Sequence, residues 1–171
     1  VGLGVELFVG VGVEVGVWAG EFGKILCSTG LKLYGVDPYK AGSDLKFYGE
    51  QENFEQVFKE AKETLKDCDY TIIRKTSMEA VKDFEDGSLD FVYIDGNHLY
   101  KYVLEDIVEW TKKVKKGGIV AGHDYYFTKR GTDKIVRDVG NVVDAYVAVF
   151  GLENLYLLHS DEIPSWMYFK I

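Results

Sequence analysis

From residue 9 to residue 169, short apolar runs of period two alternate with stretches whose apolar residues recur every three or four positions. Alternating strand and helix signals describe a parallel sheet with helices on both faces, because parallel neighbours need a long crossover and the crossover is usually a helix. Val9, Val11, Val13, Val15 and Val17 interleave with Gly10, Gly12, Glu14 and Gly16, which predicts the first strand. So many glycines weaken a strand unless a ligand or another backbone comes close. Residues 21–29 follow as a short helix stopped by Gly30, and residues 31–36 as a second strand ended by Asp37-Pro38. A polar loop is expected over 39–50. Phe54, Val57, Phe58, Ala61 and Leu65 then mark the second helix. Residues 70–74 form the third strand, and Ser77 is placed to cap a helix through Met78, Val81 and Phe84. The apolar run 89–94 has the character of a central strand buried on both faces. Leu99, Val103, Ile107, Trp110 and Val114 form a helical stripe, and Lys116-Gly117-Gly118 turns the chain into a strand at 119–121. A last helix over 135–150 and two closing strands, 155–158 and 165–169, flank a turn at 161–164. About seven strands and five or six helices are predicted, in a single domain over residues 1–171, with no linker or repeat.

The formal net charge is −8. That argues against a nucleic-acid binder, which needs a basic face to displace counterions from phosphates. Lys112, Lys113, Lys115 and Lys116 are the densest basic cluster, and they read as the solvated last turn of a helix. Neither Cys27 nor Cys68 belongs to a CxxC pair, so no disulfide framework is expected, and Cys27 reads as a small buried hydrophobe. Nothing resembles a signal peptide or a membrane span, which predicts a cytoplasmic protein.

In open α/β sheets, ligands bind beyond the C-terminal ends of the strands. Those ends carry the informative residues here: Gly16, Trp18 and Gly20 after strand 1, Asp37 after strand 2, Thr76 and Ser77 after strand 3, Asp95, Asn97 and His98 after strand 4, and His123 and Asp124 after strand 5. The first turn, Glu14-x-Gly16-x-x-x-Gly20, is not the GxGxxG that seats a pyrophosphate on a helix N-terminus. A carboxylate at Asp37 can accept hydrogen bonds from ribose hydroxyls, or it can simply make the turn before Pro38. Ser77 can meet an adenine edge or only cap its helix. Asp95, His123 and Asp124 can converge on one divalent cation (Mg²⁺, Mn²⁺ or Ca²⁺) or form a metal-free hydrogen-bonded network. His159, in the closing hairpin, is expected at the surface.

The runs Val13-Glu14-Val-Gly16-Val-Trp-Ala-Gly20-Glu-Phe-Gly23 and Tyr34-Gly-Val-Asp37-Pro-Tyr39 resemble motifs I and II of class I S-adenosylmethionine-dependent methyltransferases. Asp90-Phe-Val-Tyr-Ile-Asp95-Gly-Asn97-His98-Leu-Tyr100 and Gly117-Gly-Ile-Val-Ala-Gly-His123-Asp124-Tyr125 resemble one branch, the methyltransferase family 24 group related to metal-dependent catechol and sugar O-methyltransferases. The resemblance covers residues 9–171. It implies a Rossmann-like, doubly wound, seven-stranded sheet whose last strand is antiparallel. It places Glu14, Gly16, Trp18, Gly20, Asp37, Ser77 and Asp95 around S-adenosylmethionine, and a metal at Asp95, His123 and Asp124. Where some sugar enzymes carry an Asp base this chain has Asn97, so His98 or His123 must take the acceptor proton, with Asp95 beside them. Of the N-terminal helices and lid that often shape the acceptor site, only residues 1–8 would correspond.

The expected reaction is methyl transfer to a hydroxyl of a small-molecule acceptor. Nucleic acid and membrane are not expected partners, and homo-oligomerisation is open. Two other readings share the fold: an NAD-dependent oxidoreductase, disfavoured by the missing GxGxxG, and a non-catalytic adenosylmethionine- or nucleotide-binding module.

Overall fold

The computed structural model describes residues 10–40, 54–125, 138–159 and 163–171. The strands are β1 (Val11–Val15), β2 (Lys32–Val36), β3 (Tyr70–Ile73), β4 (Leu89–Ile94), β5 (Val114–Gly122), β6 (Tyr156–Leu158) and β7 (Ser165–Phe169). The helices are α1 (Glu21–Cys27), α2 (Phe54–Thr64), α3 (Ser77–Ala80), α4 (Tyr100–Lys113) and α5 (Val139–Phe150), with a 3₁₀ turn at Val81–Asp83. One seven-stranded sheet runs β3-β2-β1-β4-β5-β7-β6. β1 to β5 pair in parallel, whereas β7 is antiparallel to both of its neighbours. That is the expected doubly wound sheet with a reversed last strand. The winding order turns at β1 and β4, so their carboxyl ends border the crevice.

α4 packs against α3 and α5 on one face, and α1 packs against α2 on the other. The larger core joins Val103, Ile107 and Trp110 of α4 and Val142, Val143 and Tyr146 of α5 to Val92, Val120, Trp166 and Tyr168 of the sheet. A smaller core under α2 holds Val17, Tyr39, Ala61 and Leu65. Among the described residues, no helix is long and apolar enough to cross a membrane.

Several boundaries differ from expectation, for local reasons. Within the described residues β1 ends at Val15, because Gly16 takes φ +93° and turns the chain. β5 begins at Val114 rather than 119 and follows α4 without a loop, its register shifting past Gly117, which has φ +79°. Ser77 is not the cap of α3. Thr76 is, and Glu79 closes a capping box onto it. Contrary to the sequence reading, Cys27 and Cys68 are bonded to each other across a separation of 41 residues, and neither thiol is free. The bond joins the end of α1 to the turn before β3 and closes a loop around β2 and α2. Most of the loop expected over 39–50, the helix start at 135–137, the first half of the turn at 161–164 and the segment 1–8 lie outside the described residues.

Candidate cofactor and active site

The turn after β1 is built by close approach. Gly16 donates to the Val36 carbonyl (2.9 Å), and a Cβ on Gly16 would stand 2.1 Å from the carbonyl oxygen of Asp95. Only glycine fits there. Trp18 follows with φ +50°, and Gly20, with φ +83°, begins α1. Two further non-glycine residues with positive φ, Tyr39 and Asp124, lie at the same sheet edge. Such backbone persists only where the surroundings hold it, and it concentrates at functional sites.

Asp37 supplies much of that hold. Its Oδ2 accepts from the backbone N–H groups of Val17 and Trp18 (3.1 Å each), and its Oδ1 accepts from that of Tyr39 (2.8 Å). The Tyr39 hydroxyl then donates to the Trp18 carbonyl (2.9 Å). A carboxylate offers about four acceptor positions, so the three backbone donors leave about one, on Oδ1, for a further donor.

Glu14 is 2% exposed and receives a hydrogen bond from the Tyr70 hydroxyl. Burial pushes its pKa up to about 8; the Tyr70 hydrogen bond opposes the rise, and repulsion from Asp95 and Asp37 adds to it. Glu14, Asp37 and Asp95 thus lie close enough for their charges to repel one another. Arg74, which feels Asp37, is committed to Glu55 (2.6 Å).

The Ser77 hydroxyl faces neither a helix terminus nor open solvent. It donates to buried Asp106 and accepts from Trp110 Nε1 (2.8 Å). Burial raises Asp106 to about 7, against the pull of the Ser77 bond.

At the ends of β4 and β5 the structure brings together Asp95, His98 and Asp124. One donor atom from each lies within 4.8 Å of the others. His98 Nε2 is 2.8 Å from Asp124 Oδ2 and 3.3 Å from Asp95 Oδ1. Burial pulls the His98 pKa down, but the hydrogen bonds and charges of Asp124 and Asp95 outweigh it and lift it to about 9. His98 therefore holds its proton near neutral pH, between the two carboxyl groups. His123, the imidazole expected beside Asp95 and Asp124, stands outside this trio. Its Nδ1 is 3.5 Å from Asp124 Oδ1, and its carbonyl accepts from Trp166 Nε1 (3.1 Å). Asn97 turns the chain into α4, its Oδ1 accepting from the Leu99 N–H (3.0 Å). His159 is exposed, as expected. Lys112, Lys113 and Lys115 are paired with Glu109, Asp86 and Asp90, consistent with a solvated edge.

Sequence reasoning missed Tyr70 and Asp106. Asp106 left a signal: it is an acid on the apolar stripe between Val103 and Trp110. Tyr70 left none, since its role depends on strand order.

A family model described as a methyltransferase domain matches residues 11–125. An uncharacterised protein of Sinorhizobium fredii is 31% identical over 100 residues, which make up 58% of this chain and 11% of that protein. A Nostoc punctiforme protein assigned as an O-methyltransferase superposes with a TM-score of 0.65 at 13% identity, over 94% of this chain and 52% of its own. An rRNA methylase of Streptococcus thermophilus superposes with a TM-score of 0.60 at 19% identity, over 95% of this chain and 87% of its own. The chain therefore spans about a tenth of that curated relative and about half of the Nostoc structure.

Proposed function

The chain belongs to the methyltransferase-domain family whose model covers residues 11–125, and on that premise we propose that it moves the methyl group of S-adenosylmethionine onto a hydroxyl of a small-molecule acceptor. One observation carries the reading: three carboxylates, Glu14, Asp37 and Asp95, surround a glycine turn that lacks pyrophosphate-seating spacing. Carboxyl groups at the crevice, with Glu14 able to give up its proton when a cation arrives, suit a ligand bearing a sulfonium and an ammonium. They repel the phosphates of a dinucleotide. The net charge of −8 likewise favours a small acceptor over a nucleic acid.

The transfer is a direct displacement. The acceptor oxygen forms a bond to the methyl carbon, the carbon–sulfur bond breaks, and the electron pair returns to sulfur. The protein's task is to align the two reactants and receive the hydroxyl proton. That proton goes to a carboxylate oxygen of Asp95 or Asp124, since His98 between them already holds its own. Two carboxylates and an imidazole within 4.8 Å also form a donor set that fits a divalent cation such as Mg²⁺ or Mn²⁺. Asp95, His98 and Asp124 would hold such an ion, and it would lower the pKa of the acceptor hydroxyl.

Calorimetry tests the cofactor. S-adenosylmethionine and S-adenosylhomocysteine should bind in the micromolar range and NAD should not; the reverse order would overturn the proposal. Methyl transfer to a panel of hydroxyl compounds should fall at least about 100-fold in chelator and return with Mg²⁺ or Mn²⁺. Undiminished turnover in chelator would remove the metal from the mechanism and leave the proton to the cluster alone.

A further inference from the structure

Glu14 and Tyr70 stand on strands that are not neighbours. β1 and β3 flank β2, and Glu14 lies directly beside Gly35 of β2. Tyr70 pairs with Leu33, two residues earlier on the same strand. For its hydroxyl to reach the Glu14 carboxyl, the phenol must cross over β2. Gly35 makes that crossing possible. A Cβ there would sit 2.1 Å from the Tyr70 hydroxyl and 2.5 Å from its Cε1. The space is cleared from the α1 side as well: a Cβ on Gly23 would sit 2.7 Å from Glu14 Oε2 and 2.9 Å from Tyr70 Cε2. Two missing side chains, on β2 and α1, therefore admit one hydrogen bond.

The methyl-transfer mechanism does not use that bond. A core filled with apolar side chains would be simpler, since an acid as buried as Glu14 costs stability without a partner. The arrangement makes sense if the Glu14 carboxyl must be held in one orientation, ready to become charged when a cation arrives. We propose that Tyr70 is a positioning residue for the ammonium end of the cofactor's amino-acid moiety, acting through Glu14 across the gap at Gly35. This rests on the adenosylmethionine reading above and deepens it. Tyr70 occupies one acceptor position of Oε2, fixes the carboxyl, and leaves the remaining lone pairs for the ligand.

The groups that set Glu14's ionisation are Tyr70 on β3, Asp37 beyond β2 and Asp95 beyond β4. Tyr70 alone favours the charged form. Its removal raises the pH at which Glu14 ionises, so ammonium binding in the variant should need a higher pH.

The test is Tyr70→Phe in the full chain, which keeps the ring over Gly35 and deletes only the hydroxyl. Calorimetry would compare S-adenosylmethionine with 5′-methylthioadenosine, which lacks the amino-acid group. The variant should bind S-adenosylmethionine about tenfold more weakly, a loss of about 1.4 kcal/mol, with methylthioadenosine affinity unchanged. The pH midpoint of S-adenosylmethionine binding should move up. In a Glu14→Gln background the same substitution should have no further effect, because the pair acts as one. Equal weakening of both nucleosides, or additive losses in the double variant, would overturn the role of Tyr70. Wild-type protein that binds neither nucleoside would overturn the cofactor reading itself, and this role with it.

Discussion

Gly16→Ala is expected to remove about 2–5 kcal/mol of stability and to weaken S-adenosylmethionine binding more than about 100-fold. Two costs add. A side chain at φ +93° is strained by about 1–2 kcal/mol. The new Cβ would also meet backbone atoms that cannot rotate away: the Asp95 carbonyl oxygen at 2.1 Å and its carbon at 2.6 Å. Relieving that clash means parting the ends of β1 and β4, where the Asp95 N–H bonds to the Val15 carbonyl at 2.8 Å. Overpacking of this kind adds about 1–3 kcal/mol. Asp95 moves with the strand, so cofactor and acceptor sites are lost together. Gly87→Ala is the control. Its φ is +70°, but nothing lies within 4 Å of the added carbon, so only the backbone strain of about 1–2 kcal/mol should appear. Thermal unfolding of both variants, with calorimetry, decides the matter. A Gly16→Ala protein as stable as Gly87→Ala would mean that β1 and β4 do not meet in this way.

His98→Gln should reduce methyl transfer about 10²- to 10⁴-fold, the range for loss of a group that handles the proton or its metal, while leaving S-adenosylmethionine affinity within about threefold. His123→Gln should cost less than about tenfold on the same scale. The ranking follows from geometry. His98 Nε2 lies between Asp95 and Asp124, 2.8 Å from the latter, whereas His123 Nδ1 stands 3.5 Å from Asp124. Turnover measured at saturating cofactor separates the two. If His123→Gln proved the more damaging, the reacting cluster would be Asp95, His123 and Asp124.

The choice between these imidazoles shows where reading the sequence stops. The strand ends that deliver polar residues were legible, because period two and period 3.6 are local signals. So were the order of elements and the reversed last strand, the latter through resemblance. Which histidine meets Asp95 is decided by how the turns after β4 and β5 place their side chains, and no local pattern announces that. Asp37 was legible as a carboxylate at the end of the second strand. Its three backbone donors were not, since they depend on how the first turn folds back over β2. The capping box Thr76-x-x-Glu79 is a local pattern and starts one residue before Ser77, the expected cap. Tyr70 and Glu14, or Cys27 and Cys68, become neighbours only once β3 lies beside β2, so their pairings are properties of the sheet rather than of any segment.

The bridge between Cys27 and Cys68 also governs how the domain yields to a pulling force. Stretched from its two ends, the oxidised chain cannot extend the 41-residue span between the bonded sulfurs. At roughly 3.5 Å per residue that withholds about 140 Å of contour. β2 and α2 lie inside this closed ring, so tension would bypass them and run through α1 directly into β3.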